Sequence, residues 1–346
     1  MDNETNVIDY EHFTHLMLDT MEGIITTASS IISDVMIRDT IKNNDPEATA
    51  FTASYKDGGN IVPSVYSRPL YDEYLTGKAS IEELAERTVR VLETGHTNRF
   101  DFDVDSVNPE VAGNHLYLQL INGNTNREIA EKCACIRLND LIAVPRWSVN
   151  VGNGDFGSIL ITRDIQTDLL RMTDSEILKV ARDNTMEKNT FTIKGMNETL
   201  RDIIGEDMPE EMLAGMLPPM DGPEQMYVMT NETKFYGAVG LLNKDTLAAA
   251  KEKIGEDYFI IPSSVHETLF IPESRVSDPA DLKAMCMGVN ASQVPLADQL
   301  GSNIYHCNGH DIKICNNIDD LTRIKASAAE KIDFSDTVSH KVGRGM

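Results

Sequence analysis

The chain has 346 residues, of which 41% are hydrophobic and 25% are charged, a composition typical of soluble globular proteins. Acidic residues outnumber basic residues by 55 to 31, which gives a formal net charge of -24. Phosphate backbones and anionic lipids repel such a chain, so we expect neither direct nucleic-acid binding nor membrane binding. The N-terminus is polar, and no apolar run reaches the roughly 18 residues of a membrane-spanning helix. An odd count of five cysteines favours reduced thiols and a cytoplasmic location.

Two helices are predicted near the start of the chain from their capping residues. Asp9 precedes apolar residues at helical spacing from Phe13 to Met21. Ser80 and Glu83 form a capping box for a helix that continues through Val91. Between these two helices, residues 35–66 read as extended segments, and residues 71–75 read as a helical turn that ends at Gly77.

The middle of the chain is less regular. Apolar residues from Leu116 to Ile121 predict a helix that ends at Asn122-Gly123. Two apolar segments, 141–151 and 158–162, flank Gly152-Asn153-Gly154-Asp155, which predicts a hairpin turn. A helix is predicted over residues 164–171.

Residues 226–272 contain the densest apolar run and predict the order strand, helix, strand, strand. Asn243 is in position to cap the helix, and Gly255 is in position to end it in the left-handed conformation. Tyr258–Ile261 has no polar alternation, so both faces of that strand should be covered. Leu269–Ile271 should return beside it, with the helix packed on one face of the sheet.

These elements predict an α+β fold with two domains, each a small, mostly antiparallel sheet covered by helices. We expect the domains to span residues 1–132 and 133–315. Asp278 and Pro279 should open one more helix in the second domain. The polar residues 316–346 are expected to form a loosely held tail.

Four groups of short motifs occur in order over most of the chain. They are Lys42-Asn43-Asn44 with Pro63-Ser64-Val65-Tyr66, Tyr71-Asp72-Glu73-Tyr74 with Gly77, Leu120-Ile121-Asn122 with Asn126, and Ile260-Ile261-Pro262-Ser263-Ser264-Val265-His266-Glu267. This pattern resembles an uncharacterised domain-of-unknown-function family of anaerobic Gram-positive bacteria, often carried on mobile elements. The C-terminal half is similar, more weakly, to the YtpQ-like family. The shared arrangement is Ile159-Leu160-Ile161-Thr162 leading into two helices and then the strand–helix–hairpin. Both resemblances imply a fold and no catalytic residue.

The most suggestive cluster for catalysis is Ser263, Ser264, His266 and Glu267, near the tip of the predicted hairpin. A serine nucleophile needs a base within hydrogen-bond reach and a third group that orients the base. A hairpin tip can bring a serine near His266. Neighbouring strand residues face opposite sides, however, and the nucleophile-elbow sequence is missing. The commoner arrangement has the serines bonded to turn backbone.

Four residues that bind soft or borderline metals lie close together near the C-terminus: His306, Cys307, His310 and Cys315. Zinc accepts such ligands in a tetrahedral arrangement. Their spacing matches no standard zinc finger, and His306 and Cys307 should face opposite ways in a strand. Buried thiols and surface histidines are the commoner explanation, so we assign no metal and no cofactor.

We therefore expect a non-enzymatic, acidic, cytoplasmic protein that binds another protein, in the setting of a mobile element. One alternative is an acidic decoy that mimics DNA and occupies a nucleic-acid enzyme, which requires the acidic residues to cluster. The other alternative is a hydrolase that uses Ser263 or Ser264 with His266. It requires His266 to lie in a pocket, hydrogen-bonded to a serine.

Overall fold

The computed structural model of the chain describes residues 8–27, 30–45, 48–58, 63–97, 113–150, 156–204 and 224–327. The fold is α+β, as predicted, with helices and antiparallel sheets. The chain divides into two compact units: Met1–Leu116 with Arg146–Thr173, and Tyr117–Pro145 with Asp174–Met346. The domain boundaries at residues 132 and 315 stay a prediction.

The elements are numbered here in chain order. The helices are α1 (Tyr10–Thr27), α2 (Ser67–Leu75), α3 (Ile81–Thr97), α4 (Arg127–Lys132), α5 (Asp174–Lys188), α6 (Met196–Ile204), α7 (Lys244–Ile254) and α8 (Pro279–Ser292). The strands are β1 (Ile32–Asp39), β2 (Thr49–Tyr55), β3 (Val65–Tyr66), β4 (Leu116–Asn122), β5 (Ile136–Leu138), β6 (Leu141–Asn150), β7 (Phe156–Leu160), β8 (Phe191–Gly195), β9 (Tyr227–Asn231), β10 (Tyr258–Ile261), β11 (Thr268–Pro272), β12 (Tyr305–Cys307) and β13 (Ile312–Ile314). Short π- or 3₁₀-helical segments occur at Ile165–Leu169, Gly237–Leu242, Glu273–Arg275 and Leu296–Asp298.

The first unit packs α1, α2 and α3 against the antiparallel sheet β1–β2–β3. The predicted caps are present, because Asp9 Oδ1 accepts from the backbone N–H of His12 at 2.8 Å. Ser80 and Glu83 bond reciprocally to each other's backbone N–H. The core of this unit is built largely from Phe13, Met17, Met21, Phe51, Leu84 and Leu92.

One prediction for the middle of the chain is wrong. Leu116–Ile121 lies in strand β4, not a helix, and all its residues except Tyr117 are buried. A strand covered on both faces has no polar alternation, so its apolar run resembles a buried helix. The helix predicted over 164–171 is present as a short helical segment over residues 163–169, most of which is π-helical. The turn predicted at 152–155 lies outside the described residues.

The second unit is organised around a six-stranded antiparallel sheet of order β13-β12-β10-β11-β9-β8. The predicted hairpin is confirmed, since Phe259 pairs with Ile271 and Ile261 with Leu269. All four residues of β10 are buried, as the absence of alternation predicted. On one face the Tyr258 hydroxyl donates to the carbonyl of Leu247 in α7.

The ends of the helices in this unit follow the sequence closely. The Asn243 side chain accepts from the backbone N–H of Asp245 at 2.9 Å, and Gly255 ends α7 with φ of 85°. Asp278 caps α8, and Pro279 occupies its first turn. These caps satisfy backbone groups that a helix end otherwise leaves without partners.

The predicted loose tail needs correction where the structure describes it. Residues 318–327 are helical, and Leu321 packs into the core with Phe259 and Ile304. The apolar residues of this segment sit at helical spacing and gain more from burial than from exposure. Among the described residues, no helix has the length and apolar character needed to cross a membrane.

Candidate functional site

The serine–histidine cluster lies in the turn between β10 and β11, as predicted. The Ser264 hydroxyl oxygen accepts from the backbone N–H of His266 at 3.1 Å, a turn contact and not a contact with the imidazole. The backbone N–H groups of Ser263 and Ser264 donate to the carbonyls of Ile261 and Glu267. Ser264 therefore stabilises the turn conformation.

The imidazole of His266 is held by groups outside its own turn. Its Nδ1 accepts from the backbone N–H of Tyr236 at 3.2 Å, so the proton of the neutral ring lies on Nε2. Nε2 lies 3.6 Å from Asp298 Oδ1. The ring stacks on Tyr236 with centroids 5.4 Å apart and planes at 7°. This arrangement orients His266 without either serine.

The backbone beside His266 is strained. Lys234 and Tyr236 adopt φ of 54° and 55°, which costs a side-chain-bearing residue about 1 kcal/mol or more. Asn231 supports the segment, since its Oδ1 accepts from the N–H of Phe235 and its Nδ2 donates to the Phe235 carbonyl. The strain places Tyr236 between the rings of His266 and Tyr117. Only the turn-forming character of Asn231 was readable in the sequence.

The four candidate metal ligands near the C-terminus occupy different environments. Cys307 and His306 are neighbours on β12 and therefore point to opposite faces. Cys315 is buried in the core with Phe259, whereas His310 is exposed in the turn after β12. Burial raises the pKa of the Cys315 thiol to about 12. Only His306 of this set lies beside other metal-binding groups in the described part of the chain.

His306 instead meets two carboxylates from neighbouring strands. Its Nε2 lies 2.9 Å from Glu273 Oε2 and 3.7 Å from Asp257 Oδ2. His306 is almost fully buried, with 4% of its side chain exposed, whereas both carboxylates reach solvent. We refer to Asp257, Glu273 and His306 as the histidine–carboxylate cluster. It is the one group of metal-ligand type found among the described residues.

The sheet register explains why these three residues meet. His306 pairs with Phe259 across β12 and β10, and Phe259 pairs with Ile271 across β10 and β11. Asp257 lies two positions before Phe259, and Glu273 lies two positions after Ile271. Because side chains two positions apart in an extended chain point to the same side, Asp257, Glu273 and His306 share one face of the sheet. The backbone N–H of Glu273 also donates to the Asp257 carbonyl at 2.9 Å.

Two lysines bind the outer oxygens of the cluster. Lys251 contacts Asp257 Oδ1, and Lys325 contacts Glu273 Oε1. Partial burial raises the pKa of Glu273, but the hydrogen bonds and positive charges of Lys325 and His306 outweigh burial and hold that pKa below its ordinary value. Glu273 is therefore ionised at neutral pH, with Oε2 facing the imidazole.

A second feature is the outward side of α8. Met285, Met287 and Val289 are exposed by 44%, 54% and 43%. Successive residues of an α-helix are rotated by about 100° around its axis. Viewed down the axis of α8, a row of small exposed residues therefore lies on the helix surface between the side chains of Met285 and Met287. The row contains Ala280, Ala284, Gly288 and Ala291. Residues 284–297 carry no charge, although 25% of the chain is charged. We refer to Met285, Met287, Val289 and this row as the α8 surface.

Buried residues on the other side of α8 hold the helix in place. Cys286 is buried in the same core as Phe259 and Ile304, with Leu282 packed against that core. The amide of Asn290 donates to the Gly301 carbonyl at 2.9 Å. Burial raises the pKa of the Cys286 thiol to about 11, so this cysteine packs as an apolar group and not as a nucleophile.

Comparison with known protein families identifies a matching family. A model described as "Family of unknown function (DUF5688)" matches residues 10–308. No curated protein and no solved structure is significantly similar to the chain.

Proposed function

We propose that this chain, which belongs to the DUF5688 family of unknown function, is a non-enzymatic protein that binds another protein through the α8 surface. The proposal places it in the cytoplasm and in the biology of a mobile element, the setting anticipated from the sequence. The α8 surface is the observation that carries the proposal.

Three properties of the α8 surface support binding. Its large apolar side chains are exposed on a helix whose opposite side is anchored in a core, so the surface is in place before a partner arrives. Methionine side chains adapt to the shape of a partner. The small residues between Met285 and Met287 let a partner helix approach the backbone closely.

The net charge defines the kind of partner. A second copy of a chain with a charge of -24 would be repelled at long range, whereas a basic protein would be attracted. The partner we propose is therefore a basic protein that presents an aliphatic face, with positive side chains around that face. Association should be faster at low salt, while the apolar contacts set the lifetime of the complex.

Gly288 allows a direct test. A Cβ built on Gly288 would meet no atom within 4 Å, so a side chain there disturbs a partner and not the protein's own fold. A photo-crosslinking residue at Met287 should capture one basic protein in the native host, and the same residue at exposed Val91 of α3 should not. With that protein purified, Gly288→Arg should weaken binding at least 10-fold.

The matched control is Gly288→Ala, which adds only a methyl group and should retain binding within about 3-fold. Equal binding by Gly288→Arg and the unmodified chain would refute a role for this surface. Crosslinks between two copies of the chain would refute the basic partner. If no crosslinked protein is recovered with the residue at either Met287 or Val91, this result would count against binding to any protein.

The two alternatives have less support. The hydrolase alternative requires a serine bonded to the His266 imidazole, but the Nδ1 of that ring accepts from the Tyr236 backbone, and Ser264 contacts the backbone N–H of His266. The DNA-mimic alternative shares the acidic charge of the proposal and predicts a different partner, a nucleic-acid enzyme. Addition of duplex DNA would displace the chain from such an enzyme and leave the proposed complex intact.

A further inference from the structure

We infer that the histidine–carboxylate cluster binds one divalent transition-metal ion of the zinc class. Around tetrahedral zinc, with bonds of about 2.0–2.2 Å to nitrogen and oxygen, two ligand atoms lie about 3.4 Å apart. The distances from His306 Nε2 to Glu273 Oε2 and Asp257 Oδ2 are 2.9 and 3.7 Å, on either side of that value. All three ligand atoms lie within 4.8 Å of one another. Binding of the ion replaces the hydrogen bond between His306 and Glu273, and both carboxylate oxygens then settle about 3.4 Å from His306 Nε2.

The scaffold holds these ligands rigidly. The three residues come from the ends of three adjacent strands, with β10 in the centre, and Phe259 packs edge-on to the His306 ring with centroids 5.5 Å apart. The buried ring therefore has little freedom to turn away. A preformed set of ligands binds a metal with a smaller entropic cost than ligands on mobile loops.

The lysines act on the outer oxygens and leave the inner ones directed at His306. In metal sites the ligating carboxylates are commonly hydrogen-bonded through their second oxygen, which fixes their orientation. Lys251 and Lys325 make this contact with Asp257 and Glu273. The inner oxygens, Asp257 Oδ2 and Glu273 Oε2, are the ones that face His306 Nε2.

The charges in the cluster are compatible with a bound metal as well as with an ion-pair network. Two carboxylates balance a divalent ion once the His306 imidazole has released its Nε2 proton. The two lysines also balance the carboxylates, but their side chains are 36% and 54% exposed, so water screens their repulsion of a metal. The carboxylates can therefore contact a metal and the lysines together. One nitrogen and two oxygens suit zinc better than calcium, which takes six to eight oxygens.

The three ligands leave one tetrahedral position open. Asp257 and Glu273 are 35% and 21% exposed, so this position is reached from solvent and is filled by water or a partner side chain. The inference does not depend on the α8 surface. Gly288→Arg should leave metal binding unchanged, and the two proposals can fail separately.

The test uses the full chain, stripped with a chelator and titrated with Zn²⁺ against a competing indicator. One Zn²⁺ per chain should bind, and Co²⁺ in its place should give the visible absorption of tetrahedral coordination. Glu273→Gln keeps the side-chain shape and should weaken Zn²⁺ binding at least 30-fold. His306→Ala should remove the strong site. His310→Ala, which changes an exposed histidine nearby, should leave affinity within 2-fold.

The result is decisive in either direction. Equal Zn²⁺ affinity in Glu273→Gln and the unmodified chain would assign the binding to adventitious surface groups and overturn the inference. A complete lack of 1:1 binding would establish the cluster as an ion-pair network. If His306→Ala does not fold, Glu273→Gln and Asp257→Asn still decide the question, and circular dichroism confirms that they are folded.

Discussion

Stability at alkaline pH should depend on the buried hydroxyl of Tyr55 in the first unit. This hydroxyl donates to the Leu92 carbonyl at 2.8 Å, and the ring stacks on His96. Burial, and secondarily the charge of Glu93, raises the pKa of Tyr55 to about 12 from an ordinary value of 10. The unfolded chain therefore ionises first, so stability is intact below pH 10 and is lost as the pH rises towards 12.

The two pKa values give the magnitude. At pH 11 the linkage relation predicts a loss of about 1.4 kcal/mol relative to pH 8, and about 2.7 kcal/mol well above pH 12. Tyr55→Phe lacks this loss, although it is less stable at pH 8 by about 1 kcal/mol for the missing hydrogen bond. The stability difference between the two proteins should therefore nearly vanish at pH 11.

Urea unfolding at pH 8 and pH 11 measures this effect in the relevant unit, because the single tryptophan, Trp147, is buried there. Glu93→Gln is the matched control. It removes the neighbouring charge and should reduce the pH-dependent loss without abolishing it, since burial is the larger cause. A stability difference between the unmodified chain and Tyr55→Phe that is identical at both pH values would refute the reasoning.

Three further predictions concern close packing, helix capping and the core. Gly237→Ala should lower the free energy of unfolding by about 2–3 kcal/mol, because the added Cβ would lie 2.6 Å from the His266 carbonyl oxygen. Gly23→Ala in α1 meets no atom within 4 Å and should raise the free energy of unfolding by about 0.5–1 kcal/mol. Thermal melts of both variants measure this contrast, and equal shifts in melting temperature would contradict it. Asn243→Ala should cost about 1 kcal/mol through loss of the α7 cap, and restoration by Asn243→Asp is the check. Phe259→Ala should cost about 3–5 kcal/mol in urea unfolding, and a cost below 1 kcal/mol would show that this core collapses around the cavity.

Local hydrogen bonds explain why helix ends were predictable. Asn243 reaches an N–H only two residues away, and Asp278 does the same at α8. Such contacts depend on neighbouring residues alone, so the sequence contains all the information. The β10–β11 hairpin was also predictable, because both strands are apolar runs separated by a short polar turn.

Strand β4 was misread for a different reason. Its residues are buried on both faces by segments distant along the chain, and the Thr185 hydroxyl accepts from the backbone N–H of Leu118. A run of apolar residues gives no period by which to tell such a strand from a helix. The identity of this element was decided by its neighbours.

The sequence by itself determined the fold class, the caps and the β10–β11 hairpin, since these depend on composition and on residues a few positions apart. Only the tertiary structure decided the positions of the α8 surface and the histidine–carboxylate cluster. Glu273 and His306 lie 33 positions apart and meet because β10 pairs with both of their strands, a register no local pattern contains. His306 and Cys307 are neighbours in β12 and point to opposite faces, as expected from the sequence, whereas the carboxylate partners of His306 come from distant parts of the chain.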